Sequence, residues 1–227
     1  MKKTIFIIIS LTLLGFLLVS CSTHDTSVTS NPSNDSKDNN PNISIQSSMT
    51  LSNNDLFPLN GKQQYLRVKM IEGKYYEDWN SGAFMGTIWN GSFIIELNDD
   101  SGNVMTKTDL STVYEEPLIF NSAFEIAFDD YNNDEDLDFT IGQYSSSNGN
   151  NYKLFTLRSD GKVEELPIKD YHSLFISKTE GFYSTKLTKV DKNSFHIQYY
   201  DNSKQKNFID TFRWNGKEFV RVKQVNN

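Results

Sequence analysis

The stretch FEIAFDDYNNDEDLDFTI, from Phe124 to Ile141, decides how this chain is read. Its first five residues set Phe124, Ile126 and Phe128 in alternation with Glu125 and Ala127, the period of a strand with one apolar face. Phe139 to Ile141 begins a second apolar run. Between the two, oxygen-bearing side chains recur at every second position: Asp130, Asn132, Asp134, Asp136 and Asp138. The local unit is strand, acidic loop, strand, and a fold built around it should consist of hairpins.

The same grammar extends outward. Short alternating or aromatic-rich runs at Tyr65 to Ile71, Ala83 to Trp89, Ser92 to Leu97, Tyr152 to Leu157, Ser194 to Tyr200, Phe208 to Trp214 and Glu218 to Val222 predict further strands. Asn90-Gly91, Asp160-Gly161 and Asn215-Gly216 read as type I′ hairpin turns, because Asn, Asp and Gly tolerate the positive φ those turns require. Long amphipathic helices are not in the pattern. The fold expected is all-β: an antiparallel meander of hairpins forming a sandwich or strongly curved sheet, over residues 51 to 227, a length suited to one domain.

Charge sharpens the reading of the loop. The full chain carries 22 basic and 29 acidic residues. Removing the three Lys and three Asp that precede residue 51 leaves 19 and 26, a balance still of −7, which disfavours nucleic acid as a partner. No Lys or Arg occurs from Thr108 to Tyr152, whereas ten acidic residues do. On an ordinary strand the loop's alternate carboxylates would share one face and repel. A hard dication such as Ca²⁺, which takes roughly six to eight oxygens at about 2.3–2.6 Å, would turn that repulsion into cohesion. The expected shell is the side chains of Asp130, Asn132, Asp134 and Asp138 with the backbone carbonyl of Asp136, holding a structural ion. A solvated acidic hairpin tip is the alternative.

The spacing DxNxDxxxD followed by Phe139 resembles the calcium loops of FG-GAP and VCBS-type repeats, the integrin-like family whose blades carry DxNxDGxxDL. The likeness covers about Phe124 to Leu157, and it implies a calcium ion held by the residues just named. Glu135 stands where that family has Gly, and a positive φ there would cost on the order of 1 kcal/mol. The EF-hand fits less well, because its bidentate Glu would fall at Ile141.

The N-terminus carries an address. Lys2 and Lys3 precede an apolar run from Ile5 to Val19, which as a helix would reach about 22 Å, short of the roughly 30 Å hydrocarbon core. Leu18-Val19-Ser20-Cys21 resembles the lipobox of bacterial lipoproteins, which implies cleavage before Cys21 and diacylation of its sulfur. Cys21 is the only cysteine. Residues 1–21 are thus expected to be a lipoprotein signal peptide, 22–50 a disordered Ser/Asn/Asp-rich tether, and the β domain to stand at the extracytoplasmic face of the bacterial cytoplasmic membrane. His24 falls in the tether. As a whole the chain looks like uncharacterised lipoproteins of Gram-positive bacteria with one such loop.

No GxSxG elbow, phosphate-cradling glycine loop, HExxH or second cysteine is present. His172 and His196 are the domain's histidines, and the alternation puts His196 on a surface face. The Gly142 to Tyr152 segment, small and polar with two tyrosines, reads as a hairpin connection or a sugar or peptide contact. The function expected is a non-enzymatic, calcium-stabilised module that binds a protein, peptide or envelope polymer. The alternative is a cell-wall or polysaccharide hydrolase whose carboxylate pair, for example among Glu115, Glu116 and others, meets only in space.

Overall fold

Apolar residues at every second position, separated by polar turns, force this chain into strands, and the strands pair with their sequence neighbours. A computed structural model describes residues 43–177, 179 and 181–226. The expected signal peptide, Cys21 and the part of the expected tether up to residue 42 lie outside the described residues.

Three antiparallel sheets follow one another along the chain, each a contiguous stretch. The first holds β1 (Ile43–Ser44), β2 (Met49–Asp55), β3 (Gln64–Asp78), β4 (Gly86–Asp99), β5 (Val104–Asp109) and β6 (Leu118–Phe120). The second holds β7 (Phe128–Asp129), β8 (Leu137–Ser146), β9 (Gly149–Leu157), β10 (Val163–Glu165) and β11 (Leu174–Ile176). The third is the meander β12 (Thr188–Asp191), β13 (Ser194–Asp201), β14 (Lys206–Trp214) and β15 (Phe219–Asn226). Helix among the described residues is confined to single turns such as Phe57–Asn60.

Register explains the layering. Pairing sets Leu66 against Leu97, Val68 against Ile95 and Met70 against Phe93, giving the first sheet one continuous apolar face. That face packs on Phe139, Ile141, Phe155 and Leu157 of the second sheet. The opposite face of the second sheet offers Tyr152 and Leu154 to Phe195, Ile197, Phe212 and Phe219 of the third. The second sheet is therefore buried on both faces, and β8 reads LDFTIG, with Phe139 to Gly142 all buried. The antiparallel sandwich expected from the sequence is present, with three layers rather than two.

Several local expectations are corrected. Asn90-Gly91 is not a turn but the middle of β4, where Gly91 lies against Gly73 of β3. A Cβ on Gly91 would meet the Glu72 carbonyl oxygen at 2.0 Å, so this glycine serves close backbone approach across a bulge. Asp160-Gly161 and Asn215-Gly216 do join strands, but only the glycines have positive φ, +87° and +97°. A type I′ turn needs positive φ at both central residues, so these are other turns with a left-handed glycine. Phe124 to Ala127 forms no strand. Its amides turn elsewhere, Phe124 N–H donating to the Leu51 carbonyl (3.0 Å), Ile126 N–H to Asn54 Oδ1 (2.8 Å) and Ala127 N–H to Ser184 Oγ (3.1 Å). Among the described residues strand pairing is already present at Ile43 and Ser44, ahead of residue 51, where they pair with Tyr75 and Lys74.

Candidate functional site

The acidic segment connects β7 to β8, whose pairing sets Asp129 opposite Asp138 and closes the loop at its base. Within it the carboxylates organise the backbone. Asp130 Oδ1 accepts from the Asn133 N–H (2.7 Å) and the Asp134 N–H (3.3 Å), and its Oδ2 from the Glu135 N–H (3.2 Å). Asn132 Nδ2 donates to Asp134 Oδ2 (2.7 Å), and Asp134 Oδ1 accepts from the Asp136 N–H (3.1 Å). The chain thus curls around Asp130, and it does so through two left-handed residues, Asn133 (φ +59°) and Glu135 (φ +67°). Asn adopts that region readily; Glu does so at a cost of about 1 kcal/mol. Position 135 therefore has the left-handed conformation that favours Gly.

Tyr131 anchors the loop from the inside. It is fully buried, its ring edge meets Phe195 at 5.7 Å, and its hydroxyl accepts from the Leu187 N–H (2.9 Å). Burial raises its phenol pKa. Sequence reasoning about oxygens passed over this residue, although a bulky aromatic amid polar neighbours is the signal of a plug.

Asp138 is the unusual member. It projects from β8 toward the third sheet and is 0% exposed. Its Oδ2 accepts from the Tyr131 N–H (2.8 Å), while its Oδ1 has no hydrogen-bond partner. Thr156, opposite on β9, has an equally buried Oγ1, whose hydroxyl sits close enough to the Asp138 carboxyl to lower its pKa but short of a hydrogen bond of ordinary geometry. Burial, helped by the charges of Asp134 and Asp130, pushes the Asp138 carboxyl up from 3.8 to about 7 against the opposing hydrogen bonds. A buried carboxylate oxygen without a hydrogen bond of ordinary geometry lies at the base of a loop rich in oxygens, the arrangement that a bound cation would relieve.

The remaining geometry departs from the sequence picture. The Thr108 to Tyr152 segment lacks cations, but the fold imports them. Arg158 Nη1, from the end of β9, lies 2.8 Å from Asp134 Oδ2 and 3.2 Å from Asp136 Oδ2, while its Nε reaches Glu164 at 3.1 Å. Lys189 Nζ contacts Asp129 Oδ1 (3.2 Å) and the Asp130 carbonyl. The like-charge repulsion that favoured an ion is therefore partly answered by protein groups. Among the described residues no three His, Cys, Asp or Glu side chains are gathered to hold a metal as they stand. Asp130, Asn132, Asp134, Asp136 and Asp138 share one loop, with Asp134 and Asp136 turned to Arg158.

A second feature is a lateral cleft of about 570 Å³. Its walls include Phe84, the Tyr114 to Ile119 connection, Gln143 and Tyr144 of β8, Asn151 and Lys153 of β9, and His172. Glu115 and Glu116, named from sequence only as members of an unselected pool, both line it. The Gly142 to Tyr152 segment, expected as a connection, is mostly strand and supplies one side of the cleft. His196 is half-buried in β13, away from it.

No protein-family model matches the chain, and neither a curated protein nor a solved structure matches it.

Proposed function

We propose that the protein is a lipid-anchored extracytoplasmic module, held through Cys21, whose β domain is stabilised by calcium at the Asp130 to Asp138 loop and binds a ligand without transforming it. The observation that carries the metal reading is Asp138 Oδ1, buried where the loop closes and without a hydrogen bond of ordinary geometry, with the Thr156 hydroxyl beside it. Further support comes from the curl of the backbone around Asp130 and from the left-handed residue at 135. Asp130, Asn132, Asp134 and Asp138 with the Asp136 carbonyl would hold the ion. Arg158 opposes it, and binding requires the guanidinium to give up Asp134.

The ion would be structural, its oxygens coming from one loop that joins two paired strands. At about 1 mM free calcium and a dissociation constant of about 10⁻⁴ to 10⁻³ M, the gain is roughly 0.4 to 1.4 kcal/mol. The test is the melting temperature and limited proteolysis of the full chain in calcium and in EGTA. An unchanged melting point and digestion pattern would overturn the metal reading.

The hydrolase alternative has one observation in its favour, the two carboxylates Glu115 and Glu116 in a single cleft. Incubation with glycan oligomers, read by mass spectrometry for shortened chains, separates it from a binding role.

A further inference from the structure

The cleft differs from the acidic loop in what its side chains have left to offer. Gln143 is spent, its Oε1 accepting from the Ile119 N–H (2.9 Å) and its Nε2 donating to the Gly142 carbonyl (2.9 Å). Tyr114 is spent, its hydroxyl donating to the Ile141 carbonyl (2.8 Å). Lys153 is neutralised by Glu165 at 2.9 Å and lies 5.7 Å from the centre of the Tyr114 ring. By contrast, among the described residues Glu115 and Glu116 form no ion pair with Lys, Arg or His. The Tyr144 hydroxyl, the Asn151 amide and the His172 imidazole make no side-chain hydrogen bonds there either. Tyr144 is braced edge-on by Phe84, ring centres 5.5 Å apart at 71°.

These leftovers define a ligand. A cleft of about 570 Å³ lies within the roughly 300–1,000 Å³ usual for small-ligand sites. Free amide, imidazole and phenol groups suit hydroxyl-bearing ligands, and a braced aromatic ring suits the C–H face of a sugar or an ammonium group. Two uncompensated carboxylates beside one neutralised lysine select against anions and for a positive group. A peptide joining as an added strand is disfavoured at the β6 edge facing the cleft, because the Ile119 amide is already satisfied by Gln143.

We propose that the cleft between the β5–β6 connection and the β8–β9 hairpin binds an amine-bearing glycan, with Glu115 and Glu116 receiving the ammonium group, Tyr144 stacking on the ring and Asn151 holding hydroxyls. This deepens the binding-module reading and rests on it, but not on the calcium loop, whose test is thermal.

Isothermal titration of the full chain with a β-1,4-linked glucosamine tetramer is the experiment, run beside the fully N-acetylated tetramer and tetralysine. Saturable binding of the glucosamine tetramer is expected, weakened about tenfold or more by acetylation, by Glu115→Gln combined with Glu116→Gln, and by Tyr144→Ala. Both glutamates are exposed, so the double variant should keep its melting temperature. Absence of binding, or affinity unchanged in the double variant, overturns the proposal. Equal or tighter binding of tetralysine also overturns it, in favour of a basic-peptide site. Shortened glycan chains after incubation would leave the site standing and overturn the non-enzymatic reading.

Discussion

Asp138 and Thr156 face each other across β8 and β9, Oδ1 of one and Oγ1 of the other both buried, close enough for the hydroxyl to lower the carboxyl pKa but not in a hydrogen bond of ordinary geometry. Leaving a buried polar atom unpaired costs about 1–3 kcal/mol. Here the cost falls beneath a loop whose carboxylates bind much of their own backbone.

Asp138→Asn should resolve that conflict. The amide oxygen can accept from Tyr131 N–H and the amide nitrogen can donate to Thr156 Oγ1. The calcium-free variant is expected to be more stable than the parent at about pH 8 by roughly 1–3 kcal/mol, and to lose the calcium-induced rise in melting temperature. Denaturant titration in EGTA and in calcium measures both.

The pH dependence of the calcium-free protein follows from the same group. Its carboxyl titrates near 7 when folded and near 3.8 in its ordinary state. Between those values the native state holds a proton that the unfolded chain has released, so this group's contribution to stability falls as pH rises through the window. Calorimetry in EGTA from about pH 4.5 to about pH 8 should show that decline, and Asp138→Asn should flatten it. Identical slopes in parent and variant would falsify the assignment to Asp138.

Arg158→Gln should act in two directions. Loss of pairs that are about one-third exposed costs roughly 1 kcal/mol in the calcium-free state. Calcium affinity should rise severalfold, since Asp134 no longer has a competing cation. Titration calorimetry that found calcium binding unchanged would exclude competition by the guanidinium.

Glu135→Gly removes a left-handed non-glycine residue, φ +67°. The calcium-free domain should gain about 1 kcal/mol, a rise of roughly 2–4 °C in melting temperature for a domain of this size. A lowered melting point would show that the glutamate side chain contributes more than its backbone costs.

Gly91→Ala tests the fold. With the Glu72 carbonyl 2.0 Å from the added methyl, β3 and β4 must separate. A loss of about 3 kcal/mol or more is expected. Gly216→Ala, with open space around it, should cost only about 1 kcal/mol, through its φ of +97°.

The all-β class was legible because Phe195, Ile197 and Tyr199, or Leu66, Val68 and Met70, carry the period of two in plain view. The loop was legible because Asp130 to Asp138 are contiguous. What escaped was tertiary. Asn90-Gly91 has the composition of a turn, and only the presence of Gly73 on the neighbouring strand makes it a crossing point. Arg158 and Lys189 lie 20 or more residues beyond Asp138, so the run from Thr108 to Tyr152, acidic and without Lys or Arg, looked more isolated than it is. The cleft joins residues from Phe84 to His172, a constellation with no sequence signature.

A middle sheet covered on both sides has a bearing on biogenesis. Until β12 to β15 have been made, Tyr131, Tyr152, Leu154, Leu174 and Ile176 lack Phe195, Ile197, Phe212 and Phe219, which complete their cluster. A chain interrupted before that point would present a sticky aromatic surface to its neighbours, and quality-control proteases and chaperones would meet it before any ligand could. The last sheet is the lid on the folding reaction, and nonsense mutations within it should remove the protein from the cell rather than merely impair it.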